Sequence, residues 1–81
     1  MKVTIVSPQK LLFNGESREI VLPGEDGELS VLDFHQACLY SLRQGQIKTL
    51  HARKDQDRRF FIKSGMALVS WGAVDILVEE Y

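Results

Sequence analysis

The sequence predicts an all-β protein, a small β-sandwich or flattened barrel of about eight to ten short antiparallel strands. Apolar residues alternate with polar ones at a period of two, as Val3 and Ile5 do with Lys2 and Thr4. This alternation is typical of strands that present one face to a core. Turn signals recur about every ten residues, and helical spacing is not sustained for more than about two turns.

The strands follow from this alternation and from the turn residues between them. The strongest hairpin signal is Asn14-Gly15, because both residues tolerate a positive φ. Further turns are expected at Gly24 to Gly27, at Ser64-Gly65 and at Trp71-Gly72. The predicted strands lie near residues 2–7, 10–14, 16–23, 28–32, 38–43, 46–53, 58–64, 66–71 and 73–79.

Length and composition predict one domain over residues 1–81. The apolar fraction of 44% and the charged fraction of 26% are ordinary for a globular protein, which argues against disorder. The longest uncharged run, Ser64 to Val74, is far shorter than the roughly 20 residues of a membrane span. The N-terminus shows no signal peptide, so we expect the cytoplasm or a similar compartment.

Candidate metal ligands do not form a known pattern. Glu25, Asp26 and Glu28 lack the alternating oxygen donors of a calcium loop, and an exposed turn is the simpler interpretation. His35 and Cys38 are half of a zinc site at most. We therefore expect no metal and no cofactor.

Two further functions remain open at this stage, one enzymatic and one in nucleic-acid binding. One is a small enzyme that works through His35 and Cys38, which would require a pocket and a reactive thiol. The glycines at 24 and 27 lack the spacing and the lysine of a phosphate-binding loop, so no small-molecule substrate is expected.

The other alternative is a small nucleic-acid-binding barrel that uses the basic and aromatic segment 53–61. Against it, Asp55 and Asp57 lie among the bases, and Phe60 and Phe61 cannot both face the same way in a strand. The net charge of −1 also lacks the basic excess that nucleic-acid binding needs. We therefore expect no nucleic-acid partner.

A set of short motifs in colinear order resembles the N-terminal β-sandwich domain of the epsilon subunit of F-type ATP synthases. The resemblance covers essentially all of the chain. The matching motifs are Val6-Ser7-Pro8, Leu12-Phe13-Asn14-Gly15-Glu16, Leu22-Pro23-Gly24, Gly27-Glu28-Leu29-Ser30-Val31-Leu32, the loop around His35, the Leu42 to Ile47 element, Ser64-Gly65 and the closing strand Val74 to Leu77.

This resemblance implies a non-catalytic coupling subunit of the rotor, peripheral to the cytoplasmic side of the cell membrane. Its expected partners are the gamma subunit of the central stalk and the c-subunit ring of the membrane sector. The family usually adds a C-terminal helical hairpin that inhibits ATP hydrolysis. The sequence stops at Tyr81 without that hairpin, so the resemblance implies coupling without this regulation, by either a naturally short member or an isolated N-terminal domain.

The resemblance also assigns two interfaces. The acidic turn and the histidine loop imply contact with the membrane ring through Glu28, Leu29, Asp33, Phe34 and His35. Strand 38–43 carries apolar residues on both faces, so we expect it to contribute to an exposed apolar patch for gamma. The residues expected there are Ser7, Tyr40 and Leu42.

Overall fold

The computed structural model describes residues 1–33 and 37–81, and it confirms the all-β class. Within these residues the chain forms eight strands and one 3-10 turn at Lys54–Gln56. The strands are β1 (Lys2–Val6), β2 (Leu11–Glu16), β3 (Glu19–Gly24), β4 (Gly27–Leu32), β5 (Cys38–Leu42), β6 (Gly45–Leu50), β7 (Arg58–Ser70) and β8 (Ala73–Glu80).

The strands are hydrogen-bonded in the order β2-β1-β8-β7-β5-β3-β4, and β6 joins β3 to β7. One layer of the sandwich contains β2, β1, β8, the second half of β7 and β5. The other contains the first half of β7, β6, β3 and β4. All strand pairs are antiparallel except β1 with β8, which is parallel. The prediction of only antiparallel strands is wrong for this pair. No hairpin dictates the direction of this pair, since it joins the first and last strands.

The long strand β7 replaces two predicted strands and the predicted turn at Ser64-Gly65. A register shift between Ile62 and Ser64 marks a β-bulge at this point. The bulge changes which residues face inward: Ile62 is buried before it, and Ala67 and Val69 are buried after it. One strand can therefore line both layers of the sandwich.

The turn predicted at Asn14-Gly15 is also wrong, because both residues lie inside β2 and pair with β1. The chain reverses earlier, where the hydroxyl of Ser7 accepts hydrogen bonds from the backbone N–H groups of Gln9 and Lys10 at 3.3 and 3.2 Å. A serine that satisfies local backbone donors makes a turn without a glycine.

The inward faces of both layers meet in one apolar core. Phe13 extends it toward β6, with ring centroids 6.0 Å from Phe60 and 6.1 Å from His51. Among the described residues no helix is long and apolar enough to cross a membrane. The core residues are Val3, Ile5, Ile20, Leu22, Val31, Leu42, Ile47, Ile62, Ala67, Val69, Val74, Ile76 and Val78.

Candidate functional site

Five apolar side chains lie together on the outward side of the layer that contains β1, β5, β7 and β8. We call this surface the outer apolar face. Register places Leu39 beside Leu68, and Leu77 beside both Met66 and Val6. Four of them are large and about half exposed: Leu39 at 58%, Met66 at 47%, Leu68 at 49% and Leu77 at 53%. Contiguous exposure of this kind marks a binding surface more often than scattered apolar residues do.

The outer apolar face encloses a shallow groove of about 240 Å³. Covering the exposed halves of four large apolar side chains is worth on the order of 4 kcal/mol. Association costs roughly 4 kcal/mol or more in lost translational and rotational freedom. This face alone therefore supports only weak self-association, and a stable complex requires a partner that adds contacts around its rim.

Leu42 was expected to lie on an exposed patch, and this expectation is wrong. Leu42 is 4% exposed and belongs to the core. Tyr40 is half-buried and packs against the same core, and Ser7 is buried in the turn after β1. The physical reason is strand parity, because residues 40 and 42 share the inward face of β5 and Leu39 faces outward. Their assignment to a gamma interface stays a prediction.

Tyr40 also has an altered acidity. A hydrogen bond between its phenol and the side chain of Cys38 raises the pKa of Tyr40 above its ordinary value. Burial and the charge of the Cys38 thiolate raise this pKa further. The phenol therefore stays protonated to a higher pH than an ordinary tyrosine does.

The acidic turn, residues 24–28, carries three exposed acidic side chains, as expected of an exposed turn. Glu25 and Asp26 connect β3 to β4, and the backbone N–H of Glu25 donates to the carbonyl of Ser41 at 3.1 Å. A Cβ on Gly24 would approach a Leu29 side-chain atom to 2.6 Å. Glu28 is exposed, and Leu29 packs partly against the core. The backbone of the turn is thus closely packed, and its carboxylates are exposed.

Of the other residues predicted for the ring interface, Asp33 is described, and it lies away from the acidic turn. Asp33 follows the far end of β4, on the order of 16 Å from Glu28 at the usual rise per strand residue. Its carboxylate pairs with the N-terminal ammonium of Met1 at 3.1 Å. Phe34 and His35 lie outside the described residues. The ring assignment of all five residues stays a prediction.

The basic and aromatic segment 53–61 does not form a continuous binding platform. Arg53 pairs with Asp55 at 3.0 Å, and Phe60 packs against the core. Phe61 is 65% exposed and stands opposite Gln46. One exposed ring is a poor stacking surface for successive bases.

The candidate metal ligands do not come together among the described residues, and the His35–Cys38 pair is not tested by them. Within residues 1–33 and 37–81, no group of three or more His, Cys, Asp or Glu is arranged to hold a metal ion. Cys38 is free and half-buried, and its expected partner His35 falls outside the described residues. Among the described residues, the outer apolar face and the acidic turn are the candidate binding surfaces.

Comparison with known proteins links the chain to one family. The family described as the ATP synthase delta/epsilon chain, β-sandwich domain, matches residues 1–81. An ATP synthase epsilon chain from Bordetella avium is 34% identical over 77 residues, which cover 95% of this chain and 54% of the relative. An ATP synthase epsilon chain 2 from Nitrobacter hamburgensis is 38% identical over 79 residues, covering 98% and 57%. The chain thus spans about half the length of these curated relatives.

Solved structures show the same fold. A chain in the cryo-EM structure of the Tetrahymena thermophila mitochondrial ATP synthase, central stalk and c-ring, has a TM-score of 0.79 and 24% identity. The match covers 98% of this chain and 63% of that one. A chain in the Euglena gracilis mitochondrial ATP synthase has a TM-score of 0.84 and 23% identity, covering 94% and 48%. At these identities the likeness concerns the fold.

Proposed function

The chain belongs to the family of the ATP synthase delta/epsilon chain β-sandwich domain, and on this basis we propose that it is a non-catalytic central-stalk subunit of an F-type ATP synthase. It binds the gamma subunit and the membrane ring, and it transmits rotation between them. It is held at the cytoplasmic side of the cell membrane by these protein contacts. The observation that carries the proposal is the combination of family membership with two exposed and chemically distinct surfaces.

The outer apolar face is the surface proposed to bind gamma. Leu39 and Leu68 stand opposite each other on β5 and β7, and both are half exposed. An apolar patch of this kind forms the buried centre of a standard interface, and polar contacts around its rim exclude water. Ser7 and Tyr40 support this face from behind by holding the turn after β1 and the inner side of β5.

The acidic turn is the surface proposed to rest on the membrane ring. It combines exposed carboxylates at Glu25, Asp26 and Glu28 with a backbone held to β5, because Arg43 also donates its backbone N–H to the carbonyl of Pro23 at 2.9 Å. Fixed charges on a rigid element set the register of docking more than its affinity. Leu29 anchors this turn in the core. Asp33, Phe34 and His35 are proposed as a second ring contact from the family resemblance alone.

Size-exclusion co-elution with the purified gamma subunit from the same source tests the first surface. We expect a stable one-to-one complex with the unsubstituted chain, and separate elution with Leu39→Glu. Leu32→Glu is the matched control, since Leu32 is 54% exposed on the other layer. Separate elution of the unsubstituted, folded chain would contradict the proposal.

ATP-driven proton pumping in reconstituted vesicles tests the second surface. Glu28→Lys should lower pumping while ATP hydrolysis and gamma co-elution stay intact. Asp55→Lys makes the same charge change in the 3-10 turn, which lies toward the Leu32 end of β4, and should leave pumping unchanged. Equal pumping by both variants would remove the acidic turn from the ring interface.

A further inference from the structure

A single carboxylate, that of Asp75, interrupts the outer apolar face. Among the described residues that line its groove, Asp75 is the only charged one. Register places it on β8 between Thr4 of β1 and Leu68 of β7. The side chain is exposed and lies beside the contacts that would be buried first in a complex.

Asp75 has no compensating charge in the part of the chain that the structure describes. The ion pairs found there join Met1 to Glu16 and Asp33, Lys10 to Glu80 and Arg53 to Asp55, and none involves Asp75. The nearest basic residue on the same face is Lys2, which stands beside Ala73 one same-face position away. In the free chain water solvates the Asp75 carboxylate.

A partner that covers the outer apolar face removes that water. A carboxylate that is buried without a partner costs several kcal/mol, and that is comparable to the whole gain from covering the surrounding apolar side chains. The interface is stable only when the arriving surface neutralises Asp75. The apolar side chains around it, Leu39, Met66, Leu68 and Leu77, would then exclude water from the pair.

We propose that Asp75 determines the register of the partner by pairing with a basic side chain that the gamma subunit presents within an apolar surface. This inference rests on the proposed function and names the chemistry of its partner. An arginine fits best, because its guanidinium is weakly hydrated and binds a carboxylate with two parallel hydrogen bonds. A gamma surface that carries only apolar side chains should bind weakly, because it would bury the Asp75 carboxylate without a partner.

The test measures association and dissociation rates of purified gamma with the immobilised chain. The variants are Asp75→Asn, Asp75→Lys, Lys2→Gln and, as a charge control outside the face, Asp55→Asn. We expect Asp75→Asn to weaken the affinity about 30-fold, mainly through faster dissociation, because it leaves the arriving cation buried and unpaired. Asp75→Lys should weaken it by more than about 100-fold, while Lys2→Gln and Asp55→Asn stay within about twofold.

The outcomes separate this inference from the proposed function. If the unsubstituted chain binds gamma and Asp75→Asn binds equally or more tightly, the Asp75 carboxylate does not favour binding. That result overturns this inference and leaves the proposed function standing. If Lys2→Gln weakens binding as much as Asp75→Asn, the neutralising cation belongs to this chain, and the inference is again overturned. If the unsubstituted chain does not bind gamma, both fail. Circular dichroism confirms that each variant is folded.

Discussion

The two halves of β7 form one continuous strand with different outward chemistry. Before the bulge the outward residues are Arg59 and Phe61, and after it they are Met66 and Leu68. All four are exposed, so the exposure of an apolar side chain does not by itself distinguish the halves. The difference lies in the neighbouring strands and in what those strands present on the same face.

In the first half, β6 places Lys48 opposite Arg59 and Gln46 opposite Phe61. On the β6 side, Phe61 therefore has only polar neighbours. In the second half, β5 and β8 place Leu39 beside Leu68 and Leu77 beside Met66, so the apolar side chains are contiguous. A contiguous patch can exclude water over an interface, and a single ring cannot. The bulge thus separates a mostly polar surface from the surface proposed to bind gamma.

The largest expected effect distinguishes the inner side of β5 from its outer side. Leu42→Glu should remove about 4 kcal/mol or more of the unfolding free energy, because it places an unpaired charge in the core. Leu39→Glu, three residues earlier and outward, should change the unfolding free energy by less than about 0.5 kcal/mol. Urea unfolding followed by far-UV circular dichroism measures both. Equal stabilities would mean that the parity of β5 is misassigned.

A smaller loss of stability is expected at Gly65, which follows the bulge and pairs with Val78 of β8. A Cβ on Gly65 would lie 2.8 Å from the carbonyl oxygen of Leu77, so the backbone must move. Gly65→Ala should therefore lower the unfolding free energy by about 2 kcal/mol. Gly15→Ala is the control, because its nearest contact would be 3.4 Å from the ring of Phe13, and it should be nearly neutral. A neutral Gly65→Ala would show that the close approach of β8 at this position does not require glycine.

The smallest expected effect concerns Tyr40 on the inner side of β5. Cys38→Ala removes the first cause of its raised pKa, so the pKa of Tyr40 should fall toward its ordinary value. A raised pKa contributes stability that is present below the unfolded value of about 10 and is lost as pH rises through the folded value. Absorbance at 295 nm in a Tyr81→Phe background follows the phenol. An unchanged titration would exclude the hydrogen bond to Cys38.

Local pattern was enough to predict the class of fold and most of the strands. Alternation identified the inward residues of β1 and β8, and the glycines of the acidic turn identified the connection between β3 and β4. Family motifs then supplied what alternation cannot, namely the identity of the fold among small β-sandwiches. These signals depend only on neighbouring residues or on their order along the chain.

The errors arose where tertiary contacts decide local structure. Asn14-Gly15 favours a hairpin turn in isolation, but pairing with β1 extends the strand through both residues. Gly65 was taken as a turn residue although close approach of β8 requires glycine within a strand. The parallel pair of β1 and β8 has no local signal at all. The same holds for the outer apolar face, which is assembled from β1, β5, β7 and β8, and only the last two of these strands are consecutive in sequence.

The most direct test of the comparison uses two substitutions in β7. Gamma is titrated against Leu68→Glu and against Phe61→Glu, which place the same charge on exposed apolar positions of the two halves. We expect Leu68→Glu to weaken gamma binding by about 100-fold or more, since it buries an unpaired carboxylate at the centre of the interface, and Phe61→Glu to leave the affinity within about twofold. Loss of binding with Phe61→Glu and retention with Leu68→Glu would contradict the account, because the partner would then occupy the opposite face.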